Sequence, residues 1–216
     1  MKRLIIYDLD GTLVDTGQDI ANAANHMLQQ LRGAPLPAEE IRQFVGRGLH
    51  DLVKRCLQTD DAQLIETGAR MFFDYYGQHL ADHSRLYPHA KEVLEHFQPR
   101  TQAVVTNKPQ PFGPELLTRL GVAHYFTQII GVGSSYPKKP DPASIFALMQ
   151  QQDLEADDVL LVGDSPVDIE TGRNAGVFTV IVAQGFAEYD AVRAAAPDLL
   201  VPDLRELLVV ARQRRW

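Results

Sequence analysis

The sequence is short of several things, and each shortage removes a class of protein. It holds one cysteine, Cys56, so no disulfide can form within the chain. A lone cysteine suits a reducing compartment, and Cys56 itself reads as a small packed side chain. No apolar run approaches the roughly 20 residues that a membrane-spanning helix needs. The basic pair Lys2-Arg3 leads straight into an apolar segment, without the cleavage pattern of an export signal. Together these readings place the chain in the cytoplasm, with no membrane partner. Basic stretches are missing too, apart from the tail Arg212-Gln213-Arg214-Arg215, which reads as a solvated helix end. At a net charge of −7 the chain lacks the electrostatic footprint of a nucleic-acid binder. Internal repeats and low-complexity segments are absent as well.

Against those absences stands one segment, Leu4-Ile5-Ile6-Tyr7-Asp8-Leu9-Asp10-Gly11-Thr12-Leu13. Its apolar run predicts a buried strand that ends in two aspartates two residues apart, and Gly11 then breaks the pattern. Alternate residues of an extended chain point the same way, so Asp8 and Asp10 can both face one site at the strand's end. Two carboxylates held so close require a cation, a proton or a reaction. They mark a chemical site, and an enzymatic one.

With 216 residues, 45% of them hydrophobic, the chain can bury a large core and carry a small accessory domain. Apolar, β-rich runs fall at Leu4–Tyr7, Ala103–Val105, Ile129–Val132, Val159–Val162 and Val177–Val182. Helical patterns at Ala90–Phe97, Glu115–Leu120, Ser144–Gln151 and Ile169–Ala175 separate most of them. Leu199–Val201 adds a short edge strand and Leu204–Arg212 a closing helix. Near-continuous apolar strands alternating with helices predict an α/β fold: a Rossmann-like parallel sheet with helices on both faces.

The stretch from Asp15 to Ser84 breaks this alternation. Ile20, Ala23, Ala24, Met27, Leu28 and Leu31 follow helical spacing, as do Ile65, Ala69, Phe72, Tyr76 and Leu80. Pro35 and Pro37 interrupt the chain before Glu39–Val45, and Gly46 and Gly48 interrupt it again before Leu49–Leu57. The expected division is an α/β core of residues 1–14 and 85–216, with residues 15–84 inserted as a small all-helical cap.

Four polar pieces fall at strand ends or helix starts. They are Asp8 and Asp10; Thr106-Asn107; the turn Pro137-Lys138-Lys139-Pro140-Asp141-Pro142; and Gly163-Asp164-Ser165-Pro166-Val167-Asp168. In an open parallel sheet the carboxyl ends of the strands share one edge, where ligands bind. Singly, each piece has a plain explanation, Asp164-Ser165-Pro166 as a helix cap with proline at its first position, for instance. Jointly, in this order, they predict one site.

This set resembles the haloacid dehalogenase superfamily of phosphotransferases. Asp8-Leu9-Asp10-Gly11-Thr12 is similar to its first motif, Thr106 to its second, Lys139 to its third, and the Gly163–Asp168 stretch to its fourth. The helical insertion after the first strand matches the family's cap in class and position. The resemblance implies a two-step displacement. Asp8 attacks phosphorus and forms an aspartyl-phosphate, while Asp10 protonates the leaving alkoxide and then takes a proton from the hydrolytic water. It further implies that Thr106 holds the transferring oxygens and that Lys139, rather than Lys138, balances their charge. Gly11, Thr12 and Asn107 line the substrate.

A carboxylate is already ionised at neutral pH, so its obstacle is repulsion by the phosphate dianion. Mg²⁺ suits a site of one or two carboxylates plus phosphate oxygens. Asp8 and Asp164 are the expected carboxylate ligands, the resemblance adds the Asp10 carbonyl, and Asp168 and Ser165 support the site from behind. Mg²⁺ and Lys139 would then bring +3 against ionised Asp8, Asp164 and Asp168.

Phe44-Val45-Gly46-Arg47-Gly48-Leu49, with the Lys-Pro-x-Pro turn, resembles the phosphoglycolate phosphatase branch of that superfamily. It implies hydrolysis of a small phosphate ester such as 2-phosphoglycolate, with Arg47 pairing with a substrate carboxylate. A sugar-phosphate mutase, or a phosphatase for nucleotides, pyrophosphate or sugar phosphates, uses the same motifs and stays open. His79 and His83 read as a helix-end cationic pair, and Asp60-Asp61 and Asp157-Asp158 as helix caps. The sequence offers no reading of Pro109, Pro111 and Pro114, nor of the oligomeric state.

Overall fold

The computed structural model describes residues 1–216. Leu4–Tyr7 form strand β1, and all four side chains are fully buried. The chain then passes through a two-residue strand, β2 (Val14–Asp15), into four helices: α1 (Gly17–Leu31), α2 (Ala38–Arg42), α3 (Leu49–Leu57) and α4 (Ala62–Gln78). It returns through β3 (Arg85–Leu86), which pairs antiparallel with β2 and closes the entrance to the helical insertion. Helices α1 and α4 bury the faces their spacing predicts: Ile20, Ala23, Ala24, Met27 and Leu28 on one, Ala69, Phe72 and Tyr76 on the other. Asp61 caps α4 by accepting from the backbone N–H groups of Gln63 and Leu64.

Beyond the insertion, strands and helices alternate. In order come α5 (Ala90–His96), β4 (Thr101–Pro109), α6 (Phe112–Arg119), β5 (Gln128–Val132), α7 (Ala143–Gln151) and β6 (Val159–Gly163). Then follow α8 (Pro166–Ala175), β7 (Phe178–Val182), α9 (Tyr189–Ala194), β8 (Leu199–Val201) and α10 (Leu204–Arg214). Six strands form one parallel sheet in the order β5-β4-β1-β6-β7-β8. Ile5 and Tyr7 join a core on one face with Val104, Leu160 and Val162, whereas Leu4 and Ile6 join a second core with Ala103, Val105 and Leu161. Both faces of β1 are therefore covered, which is why its sequence is apolar without alternation. The chain steps from β1 outward to β4 and β5, then crosses to β6 on β1's other side. The crevice of this order reversal opens at the carboxyl end of β1.

Three local expectations are corrected. Strand β4 does not end at Thr106-Asn107 but continues to Pro109. Its pairing with β5 jumps from Val105–Ile130 to Pro109–Val132, so two extra residues are accommodated in a bulge. Such bulges re-aim side chains, and here the displaced residues are Thr106, Asn107 and Lys108. Asp157-Asp158 lie in a single 3₁₀ turn, Ala156–Asp158, that leads into β6 rather than into a helix. Helix α6 starts at Phe112, with Pro111 just before it and Pro114 in its first turn, where a missing N–H costs little. The short helix α9 escaped the sequence reading because Val192 is its only buried residue. No helix is long and apolar enough to cross a membrane.

Candidate active site

Asp8 is the first residue past β1, and its backbone N–H still donates to the Val162 carbonyl (2.8 Å), which fixes it to the sheet. Its Oδ1 accepts from the Leu9 N–H (2.7 Å) and lies 2.9 Å from Lys139 Nζ. No protein donor reaches Oδ2. The buried Lys139 ammonium also donates to Asp168 Oδ1 at 2.7 Å. Lys138 stays on the surface with its ammonium on the Arg47 carbonyl (2.8 Å), so it is Lys139 that meets Asp8.

Asp168 sits in the first turn of α8, where Ser165 and Pro166 begin the helix as their sequence suggested. Its Oδ2 accepts from Ser165 Oγ (2.6 Å) and the Ser165 N–H (3.1 Å), a reciprocal cap that leaves Oδ1 for Lys139. Asp164, at the end of β6, accepts from Thr12 Oγ1 (3.1 Å) and from the Phe186 N–H (2.9 Å). Two glycines make room for it: a Cβ on Gly11 would lie 2.3 Å from its Oδ2, and one on Gly185 would lie 2.2 Å from it. Gly11 is further bound to glycine by its φ of +81°. Asp8, Asp164 and Asp168 present oxygens within 4.8 Å of one another.

Asp10 belongs to a second, adjoining group. Its Oδ1 accepts from Thr16 Oγ1 (2.7 Å) and from Lys108 Nζ (2.8 Å), while Oδ2 has no donor. Lys108 donates also to Tyr76 Oη (2.7 Å) on α4, linking the sheet to the helical insertion through the Asp10 carboxylate. Asp8, Asp10, Thr106, Asn107, Lys108 and Tyr76 line one cavity. It opens to solvent, and its far wall is apolar: Ile20, Val45, Leu49, Leu52 and Phe72.

Electrostatics separates the two groups. Burial, reinforced by Asp168, pushes the Asp8 carboxyl up to about 6 in spite of Lys139. Burial and the neighbouring Asp168 and Asp8 raise Asp164 well above the usual carboxylate range. Burial by itself would lower Lys139, but Asp168 and Asp8 more than offset it and hold its pKa above the ordinary value. Lys108 behaves alike: desolvation lowers it, Asp10 and Tyr76 raise it further. Burial moves the Tyr76 hydroxyl up to about 12, so it keeps its proton. Three buried carboxylates face one ammonium around Asp8, a deficit that a divalent cation with oxygen ligands would fill. This is the one cluster of such groups in the chain. His79 pairs instead with Asp82 (2.7 Å), and the His83 N–H with Asp19 (3.0 Å).

Several expected substrate contacts have their polar groups engaged or directed elsewhere. Thr12 is fully buried, and its hydroxyl is spent on Asp164. The Asn107 amide donates to the Gly46 carbonyl (2.9 Å) and the Lys139 carbonyl (3.0 Å), and its oxygen accepts from the Lys139 N–H (2.8 Å). It therefore positions Lys139 and the insertion rather than offering a free group. Arg47 is exposed and outside the cavity lining, because the flanking Gly46 and Gly48 bring backbone, not this side chain, to the pocket. Lys108 and Tyr76 carry no functional motif in the sequence, yet both reach the site. The available clue to Lys108 was its place two residues after Thr106, following directly on the apolar run Ala103–Val105 and the polar pair Thr106-Asn107. Tyr76 was hidden inside an apolar helical stripe.

Residues 5–182 match the family model described as haloacid dehalogenase-like hydrolase. The chain is 38% identical to a phosphoglycolate phosphatase of Vibrio parahaemolyticus, over 96% of this chain and 95% of that protein. A phosphoglycolate phosphatase of Pseudomonas fluorescens is 35% identical over 96% and 79%. Among solved structures, that of a predicted phosphoglycolate phosphatase from Haemophilus somnus superposes with a TM-score of 0.90, at 32% identity, covering 97% of this chain and 98% of that one. The sheet order, the buried acidic cluster and these likenesses agree: the chain belongs to the haloacid dehalogenase-like hydrolase family.

Proposed function

We propose that the protein is a Mg²⁺-dependent phosphomonoester hydrolase that works through an aspartyl-phosphate on Asp8, with 2-phosphoglycolate as substrate. Residues 1–14 and 85–216 are taken as the catalytic core and 15–84 as the cap. One observation carries the mechanism: Asp8 is a buried carboxylate with Oδ1 pinned by Leu9 and Lys139 and Oδ2 free of any donor. An anion held so, at the mouth of a cavity, is oriented for in-line attack. The substrate assignment draws on the relatives of that name.

The Asp8 and Asp164 carboxylates and the Asp10 carbonyl would hold the ion. When bound, Mg²⁺ neutralises charge on the phosphoryl oxygens and on the carboxylates. Lys139 adds a positive charge beside Asp8, and Asp168 and Asn107 keep it there. Thr106, placed in the bulge of β4, offers its hydroxyl to the transferring group. Asp10 Oδ2 gives its proton to the leaving oxygen and later accepts one from water. Lys108 and Thr16 fix the opposite oxygen of the same carboxyl and so aim it.

The test is phosphate release from a panel of small esters, with Mg²⁺, with EDTA, and with Asp8→Asn. The expected result is turnover only with the metal and only with Asp8, led by phosphoglycolate. Sugar phosphates or nucleotides cleaved equally well would remove the substrate assignment; metal-free activity would remove the mechanism.

A further inference from the structure

Lys108 is the only cationic side chain lining the cavity. An ammonium has three N–H groups and only donates. One goes to Asp10 Oδ1 and one to Tyr76 Oη, and no protein acceptor takes the third. Because Tyr76 Oη accepts from Lys108, its own O–H hydrogen is left without an acceptor as well. Both side chains are buried, at 5% and 1% exposure, so their spare donors have little access to bulk water. Two unpaired buried donors side by side, one of them charged, are costly unless a ligand satisfies them. The apolar side chains of the wall, Ile20, Val45, Leu49, Leu52 and Phe72, offer no acceptor, and the hydrogen bonds of the polar lining residues do not reach these two donors.

The position restricts the ligand further. Asp10 is the proton donor to the leaving oxygen, and Lys108 Nζ is one hydrogen bond, 2.8 Å, from that carboxylate. A group satisfying Lys108 and Tyr76 must therefore lie on the leaving-group side, only a few atoms from the ester oxygen. A carboxylate has the two acceptor oxygens and the charge that the two donors call for.

We propose that Lys108 and Tyr76 form the subsite for the substrate's acidic end, and that this pair, not Arg47, selects short phosphorylated acids. The inference rests on the phosphatase reading above and adds the residues that choose the leaving group. The pair fixes specificity by contact, while the Lys108–Asp10 bond makes Lys108 a positioning residue for the proton donor too.

The test compares two esters that differ only at the tail, 2-phosphoglycolate and 2-hydroxyethyl phosphate, in wild type and in Tyr76→Phe, Lys108→Met and Arg47→Ala. The readout is the acidic-to-neutral ratio of kcat/KM. Loss of Asp10 positioning lowers both esters together and leaves that ratio unmoved. Tyr76→Phe retains the ring packed on Phe72 and Phe112, so it reports on the hydroxyl in a folded protein. Tyr76→Phe and Lys108→Met should each lower the ratio about tenfold or more, mainly through KM for the acid. Arg47→Ala should keep the wild-type ratio. A ratio held within about twofold in both pocket variants, or a collapse in Arg47→Ala, overturns the subsite. A wild-type ratio near one overturns it too, while leaving the phosphatase reading intact. Phosphate release from neither ester would remove that reading, and the subsite with it.

Discussion

Replacing Asp8 by asparagine should abolish turnover and yet stabilise the metal-free protein. Asparagine keeps an oxygen for the Leu9 N–H and for Lys139, and its amide nitrogen replaces an oxygen that has no donor. What the change removes is one of three buried negative charges facing a single ammonium. Burial and Asp168 move the Asp8 carboxyl from 3.8 to about 6. That corresponds to about 3 kcal/mol lost from the folded state when Asp8 is ionised. The raised value means the native state binds the proton more tightly than the unfolded chain, so this contribution erodes stability as pH rises. The penalty is complete above about pH 6, about half remains at pH 5, and it vanishes below the unfolded value. For a chain of this length Asp8→Asn in EDTA at pH 8 should melt roughly 6–12 °C above wild type. The gain should halve by pH 5. Thermal unfolding followed by circular dichroism at the two pH values measures both. A variant that melts at or below wild type at pH 8, or a gain that does not shrink at pH 5, would refute the reading of Asp8 as an uncompensated buried charge.

Lys139→Ala should lose turnover by about a hundredfold or more and also destabilise the protein, because it leaves Asp8 and Asp168 unpaired, whereas Lys138→Ala should stay close to wild type. Equal kinetic losses from the two would contradict the assignment. Gly185→Ala would force a methyl group onto Asp164, so the Mg²⁺ concentration for half-maximal activity should rise about tenfold or more. A metal titration with an unchanged midpoint would count against Asp164 as a ligand. Asn107→Ala deletes three hydrogen bonds joining the strand, the Lys139 turn and the insertion. It should cost about 1–3 kcal/mol in urea unfolding together with a fall in kcat, and no change in either would remove its positioning role.

Much of the molecule was legible because its signals are local or periodic. The run Leu4–Tyr7 announced a strand buried on both faces, and the structure buries all four side chains. Asp164-Ser165-Pro166 announced a capped helix, and the same cap uses Asp168. The spacing of Ile20 through Leu28 located α1 within the insertion. What stayed hidden depends on pairing in three dimensions. The bulge that extends β4 to Pro109 is set by its register with β5, which no single strand reveals. Thr12 and Asn107 are polar residues in motif positions, and only the fold shows their hydrogen bonds spent on Asp164 and on Lys139. The link from Asp10 through Lys108 to Tyr76 joins residues far apart in the chain, one of them indistinguishable from core in a helical pattern.

The central claim is that Asp8 carries the phosphoryl group. An acyl phosphate is reduced by borohydride to the alcohol, so quenching the enzyme during turnover of phosphoglycolate with Mg²⁺ and reducing it should convert Asp8 to homoserine. Peptide mass spectrometry then reads the modified position directly. Homoserine is expected at position 8 alone, dependent on substrate and metal. Modification at another carboxylate, or none while phosphate is still being released, would contradict it.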